Sequence, residues 1–161
     1  MDTKKLVRTG LLLALALVFQ IGFRQFAQPL VGPLVNMTLL IAALLVGPIS
    51  GSIIGILTPI VALILGIIAL PPLVPIIAIG NSLLVITFYY TNKKFNKWVG
   101  LILSAIIKFG FLAIAVRIVL PLFLSKVPPV VISAFTLPQL YTALIGGIVA
   151  ILVYSLIQKN I

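Results

Sequence analysis

Apolar residues in this chain come in runs long enough to cross a bilayer, with little else between them. A spanning helix needs about 20 mostly apolar residues, within a range of roughly 17 to 25. Six such runs stand out, at about 6–23, 30–46, 49–68, 72–90, 98–120 and 133–157. Helix breakers or polar clusters separate them: Gly47-Pro48, Pro71-Pro72, Thr91-Asn92-Lys93-Lys94 and Pro128-Pro129. Hydrocarbon offers backbone groups no partner, so unbroken runs of this length must fold as helices. The short alternating segments of an outer-membrane barrel do not occur. The expectation is an all-α membrane protein, a compact bundle of six transmembrane helices forming a single domain over residues 1–161.

Composition agrees. A soluble domain is about half apolar, with roughly a quarter of its residues charged; this chain is 63% hydrophobic and 7% charged. Eleven Lys and Arg stand against a single acid, Asp2. In a soluble protein that excess would suggest nucleic acid, but these bases sit mostly at the ends of apolar runs and make no face interleaved with polar and aromatic contacts. They read instead as topology signals. Lys4, Lys5, Arg8, Lys93, Lys94, Lys97 and Lys159 fall on one side, and Arg24 and Lys126 on the other, with Arg117 near that outer end. The expectation is a multi-pass protein of the cytoplasmic membrane with both termini inside. Ala14-Leu15-Ala16 mimics a signal-peptide cleavage site, but it lies within a run that continues to Phe23, so the first segment reads as a retained helix.

Several chemistries are closed. With no Cys and no His, the chain lacks disulfides, thiolate metal sites and the commonest general base. No metal and no cofactor are expected. No GxxxxGK[ST] loop is present to cradle ATP, so uphill transport would draw energy from an ion or another polypeptide. Intramembrane proteolysis by a Ser–His pair, and metal or acid-cluster hydrolysis, have no residues to run on. Ser104 and Lys108 share a helix face at i,i+4, the one arrangement resembling a nucleophile–base pair. The chain is not expected to be an enzyme.

Polar side chains within a span are costly, and function is the default explanation for them. Asn36 lies in the outer part of the second run, Asn81 near the middle of the fourth, and Lys108 near the middle of the fifth. Gln139 follows Pro138 at a helix entry, and Thr58-Pro59 is expected to interrupt the third run at mid-depth. Gln20 ends the first run, with Arg24, Gln25 and Gln28 after it. These groups favour the middle and outer half of the membrane, as an outward-facing pocket would. The alternative for Asn36 and Asn81 is interhelical hydrogen bonding. Arg117 can snorkel outward; it lies about 180° around the helix from Lys108. No intramembrane carboxylate exists to bind a coupling ion or a cationic substrate, so the pocket should take a neutral or anionic molecule.

Small residues recur at four-residue spacing, the device for close helix approach in membranes. Gly47, Gly51 and Gly55 form one such row; Ala143/Gly147 and Gly146/Ala150 form others. Gly10 and Ala14, near the inner end of the first run, make a further pair that a second membrane subunit could dock on, with Ala16 close by.

Six compact spans, a basic N-terminus, the small pair in the first span and a polar outer pocket resemble the substrate-binding S components of energy-coupling factor (ECF) transporters. So do the stretches Gly32-Pro33-Leu34-Val35-Asn36, Leu45-Val46-Gly47-Pro48-Ile49-Ser50-Gly51, Leu57-Thr58-Pro59 and Ile79-Gly80-Asn81. The resemblance implies a subunit that captures a vitamin-like molecule from outside beneath a capping first outer loop, where Arg24 and Gln28 would lie. It implies delivery through a T component and two ATPases, with a coupling motif AxxxA in the first helix. Here Gly10 stands at the first position of that motif and Ala14 at the second, with Ala16 a further candidate. The substrate-contacting residues expected are Arg24, Gln28, Asn36, Thr58, Asn81, Lys108 and Gln139. The competing readings are a self-sufficient small carrier or channel, and a membrane scaffold subunit with no ligand.

Overall fold

The computed structural model describes residues 2–124 and 126–159, apart from the side chains of residues 26–28. Helices α1 (Thr3–Gly22), α2 (Ala27–Leu45), α3 (Pro48–Ile64), α4 (Leu73–Lys94) and α5 (Lys97–Ile114) are followed by the short α6 (Pro129–Ala134) and the long α7 (Leu137–Lys159). No strand occurs among the described residues. Four segments are long and apolar enough to cross a membrane: α1, α4, α5 with its extension to Leu122, and α6 with α7. The apolar parts of α2 and α3, Pro29–Leu45 and Pro48–Ile64, are shorter. At 1.5 Å per residue, 17 residues reach about 25 Å, short of a full hydrocarbon thickness of about 30 Å.

That shortness has a local cause in α3, where the sequence reading needs correction. The third apolar run continues to Ile68, yet the helix stops at Ile64. Gly66 adopts φ 64°; its N–H reaches the Leu63 carbonyl and the Ile67 N–H reaches Ala62 at 2.8 Å. This is a Schellman ending, which satisfies the last carbonyls and turns the chain away. A second correction concerns Pro59: α3 runs straight through it, so Thr58-Pro59 does not interrupt the span. The third is the last apolar run, which the structure divides at Phe135-Thr136 into α6 and α7.

Helix α2 is the hub. Leu39, Leu40, Ala42 and Ala43 are wholly buried, and α2 packs on α1, α3, α4 and α7. A helix apolar and buried on all sides belongs at the centre of a bundle. Large apolar side chains on the outer faces of α1, α5 and α7 stay exposed, among them Leu11, Ile102, Ile106 and Leu152, as a surface solvated by lipid requires. Glycines set the helix spacing. A Cβ on Gly51 would stand 2.8 Å from Val85 and 2.9 Å from the Leu39 carbonyl oxygen, and one on Gly55 would stand 2.8 Å from the Asn81 Cβ. Gly47, expected in the same row, meets open space and serves instead through φ 128° at the turn into α3.

Candidate functional site

Each of the six long helices sends one polar side chain to a common cavity. These are Gln20 from α1, Asn36 from α2, Thr58 from α3, Asn81 from α4, Lys108 from α5 and Gln139 from α7. All six residues are buried. The cavity holds about 410 Å³, within the roughly 300–1,000 Å³ range of small-molecule sites. Its other walls are apolar, including Val31, Val35, Leu73 and Ile77. Connecting segments close one end: Ile67 to Leu70 after the Schellman turn, and Val130, Val131, Ala134 and Phe135 of α6 and its exit.

Lys108 is the electrostatic centre. Its Nζ donates to Asn36 Oδ1 at 2.7 Å and to Asn81 Oδ1 at 2.8 Å. Both amides are themselves held. Asn36 Nδ2 donates to Thr142 Oγ1 at 3.5 Å, and Asn81 Nδ2 donates to the Gly55 carbonyl at 3.0 Å. The reason Gly55 has an acceptor to spare lies one turn on: Pro59 has no N–H to give it. With each amide's donor side occupied, both oxygens turn to the ammonium. An ammonium carries three N–H donors, and two are used here. No carboxylate offsets the charge, because the chain's one acid, Asp2, caps α1 by accepting from the Lys5 N–H at 2.8 Å.

A second polar spot lies between α1 and α3. Gln20 Nε2 donates to the Thr58 carbonyl at 3.2 Å, while Gln20 Oε1 and Thr58 Oγ1 are buried without a partner. Each such atom costs about 1–3 kcal/mol until something satisfies it. Gln139 ties the roof in place, its Nε2 donating to the Ala134 carbonyl at 3.3 Å.

Five of the seven expected contact residues therefore line one cavity: Asn36, Thr58, Asn81, Lys108 and Gln139. Arg24 does not. It is exposed and donates to the carbonyls of Leu65 and Gly66, at 3.4 and 3.1 Å, fastening the α1 end to the Schellman turn. The Gln28 side chain lies outside the described residues. Gln20 and the α6 residues join the wall beyond the expected set. Arg117 is exposed and donates to the Ala113 carbonyl at 3.0 Å, on a π-helical turn (Ala115–Val119) that continues α5. Ser104 is not paired with Lys108; its hydroxyl donates to the Leu101 carbonyl at 3.0 Å. On α1, Gly10 and Ala14 are exposed. Ala16 corrects the expectation of a partner contact: it is wholly buried in the hydrophobic core.

No curated protein and no solved structure matches the chain. A family model does, over nearly the full length, and it describes the subunit type that a cavity inside a multi-pass bundle would suit. The match to the ECF transporter substrate-specific component spans residues 4–158, and the chain belongs to that family.

Proposed function

We propose that this chain captures a neutral or anionic vitamin-like molecule on the outer side of the cytoplasmic membrane. It hands that molecule inward through a complex with a T component and a pair of ATPases. As a substrate-binding subunit of an ECF transporter, it carries no ATP-binding loop of its own. The observation that carries the substrate reading is Lys108, fixed between Asn36 and Asn81 on the wall of a 410 Å³ cavity and unopposed by any acid. A buried ammonium without a counter-charge is expensive, and an anionic or acceptor group entering the cavity offsets that cost. A scaffold needs no such cavity. A proton- or sodium-driven carrier would be served by an intramembrane carboxylate, which the sequence lacks.

The orientation rests on charge. The seven bases from Lys4 to Lys159 cluster at the α1 N-terminus, the α4–α5 turn and the α7 C-terminus. The segments closing the cavity are at the opposite helix ends. The positive-inside rule supports an outer position for this closed-over end of the cavity. Native mass spectrometry of the detergent-purified chain should reveal a small molecule of neutral or negative charge. A tight cationic guest would overturn the substrate reading, and a chain that never carries or binds any small molecule would overturn the capture role.

A further inference from the structure

We propose that the cavity selects a monoanionic acid that bears a neutral N–H or O–H donor close to its carboxylate, on an otherwise apolar body. This deepens the capture reading above and rests on it.

Charge fixes the first element. Lys108 is the one ionisable side chain among the cavity's described lining residues. Its two protein partners are neutral amide oxygens, so a single negative charge neutralises the site. A dianion would leave one charge unpaired in an apolar enclosure, and an amine would add a second positive charge beside the first; either is strongly disfavoured. The third N–H of Lys108 and the ammonium charge therefore take one carboxylate, or an acid of equal charge.

The second element comes from Gln20 and Thr58. The Gln20 amide orientation is settled by its partner: Nε2 must face the Thr58 carbonyl, because turning the amide over would oppose two acceptors. That leaves Gln20 Oε1 needing a donor, beside a Thr58 hydroxyl also without a partner. Both residues are more than nine-tenths buried and line the cavity. A guest N–H or O–H is the group that answers them.

Helix geometry sets the spacing. Asn81 is anchored on the Gly55 carbonyl, and Thr58 is three residues further along α3, a rise of about 4.5 Å towards the closed-over end. The Gly55 anchor of Asn81 and the Thr58 position are thus about one helical turn apart along α3, which sets the two polar spots close together. The remaining surface, with Val31, Val35, Ile77 and Phe135, is apolar and offers one aromatic ring. It suits a compact aliphatic or single-ring body.

The test uses the full chain in detergent micelles and four probes on one ring. These are 3-acetamidobenzoate (monoanion with donor), 3-acetamidobenzamide (neutral), 3-acetamidobenzylamine (cation) and 5-acetamidoisophthalate (dianion). Calorimetry or thermal shift should rank 3-acetamidobenzoate first, with the benzamide about tenfold or more weaker, since a charge-assisted hydrogen bond outweighs a neutral one. The amine and the dianion should be weaker still. Lys108→Met should erase the preference for acid over amide, and Gln20→Leu should weaken the acetamido acid while sparing unsubstituted benzoate. Equal binding of acid and amide, or a preference for the amine or dianion, overturns the proposal. If none of the four binds, the molecule found by native mass spectrometry decides: a monoanion with a donor upholds this class, and any other guest sinks it while leaving the capture role standing. No guest in either experiment sinks both.

Discussion

Asn81 supplies the donor that Pro59 lacks: its Nδ2 lies 3.0 Å from the Gly55 carbonyl oxygen, the acceptor a residue-59 N–H would reach in an uninterrupted helix. The same side chain turns its Oδ1 to Lys108 at 2.8 Å. A proline in one helix thus orients the amide that holds the cation of another. This predicts coupling. Asn81→Ala should cost about 2–4 kcal/mol in thermal unfolding, from two buried hydrogen bonds and the partners left behind. In a Pro59→Ala background the new N–H takes over Gly55, and the cost should fall by about 1 kcal/mol. Strict additivity of the two substitutions would refute this linkage.

In the proposed capture role Lys108 pairs with the ligand's negative charge, so Lys108→Met should lower affinity for an anionic ligand by about 10- to 100-fold, the worth of one charge-assisted hydrogen bond. Ser104→Ala, one turn away on the same helix, should leave affinity within about twofold, because its hydroxyl is spent on the Leu101 carbonyl. Titration calorimetry with the identified ligand reads both. Loss of binding on removing Ser104 would revive a paired role for the two residues.

The sequence carries most of the bundle and most of the polar side chains that line the cavity, and the exceptions have physical reasons. Hydropathy marks where hydrocarbon begins and ends, and intramembrane polar groups are too costly to be accidental, so Asn36, Asn81, Lys108 and Gln139 are visible from composition alone. The end of α3 is not, because residues 65–68 are as apolar as the helix before them apart from Gly66. The turn depends on that glycine's backbone, which hydropathy does not weigh. The roof is hidden for a similar reason: Ser133, Ala134 and Phe135 read as the start of the last span, whereas Ser133 and Ala134 end a separate short helix and Phe135 is its exit. Arg24 shows the opposite failure. Its charge is obvious, whereas the carbonyls of Leu65 and Gly66 that claim it exist only once α3 has ended.

Close approach of α2 and α7 depends on Gly146, where a Cβ would intrude on the Pro33 carbonyl oxygen and stand 2.9 Å from the Met37 nitrogen. Backbone cannot yield as a side chain would. Gly146→Ala should destabilise by about 1–3 kcal/mol through overpacking. Gly10→Ala meets nothing within 4 Å and should be neutral, or stabilising by about 0.5–1 kcal/mol through helix propensity. Thermal unfolding in one detergent compares them. A harmless Gly146→Ala would mean the helices sit further apart than described.

The absence of cysteine makes the topology directly testable. Lys94→Cys, at the α4–α5 turn, should resist a membrane-impermeant maleimide in intact cells and react once the membrane is opened. Lys126→Cys, on the connection between α5 and α6, should react without opening. Both positions are exposed. The reverse pattern would place the closed-over end of the cavity in the cytoplasm and remove the basis for uptake from outside.

The proposed partner face on α1 would separate docking from folding within one helix. Gly10 and Ala14 are exposed on α1, whereas Ala16 is wholly buried. A bulky side chain at the first two positions therefore meets lipid or partner and not the core. Gly10→Leu and Ala14→Leu should retain ligand affinity and thermal stability while lowering copurification with a T component and its ATPases about tenfold or more, since a surface shaped by small residues admits no added leucine. Ala16→Leu should instead destabilise the isolated chain by about 1–3 kcal/mol. Undiminished copurification of both Gly10→Leu and Ala14→Leu would move the docking surface off this face of α1, onto another of the exposed apolar faces on α5 or α7.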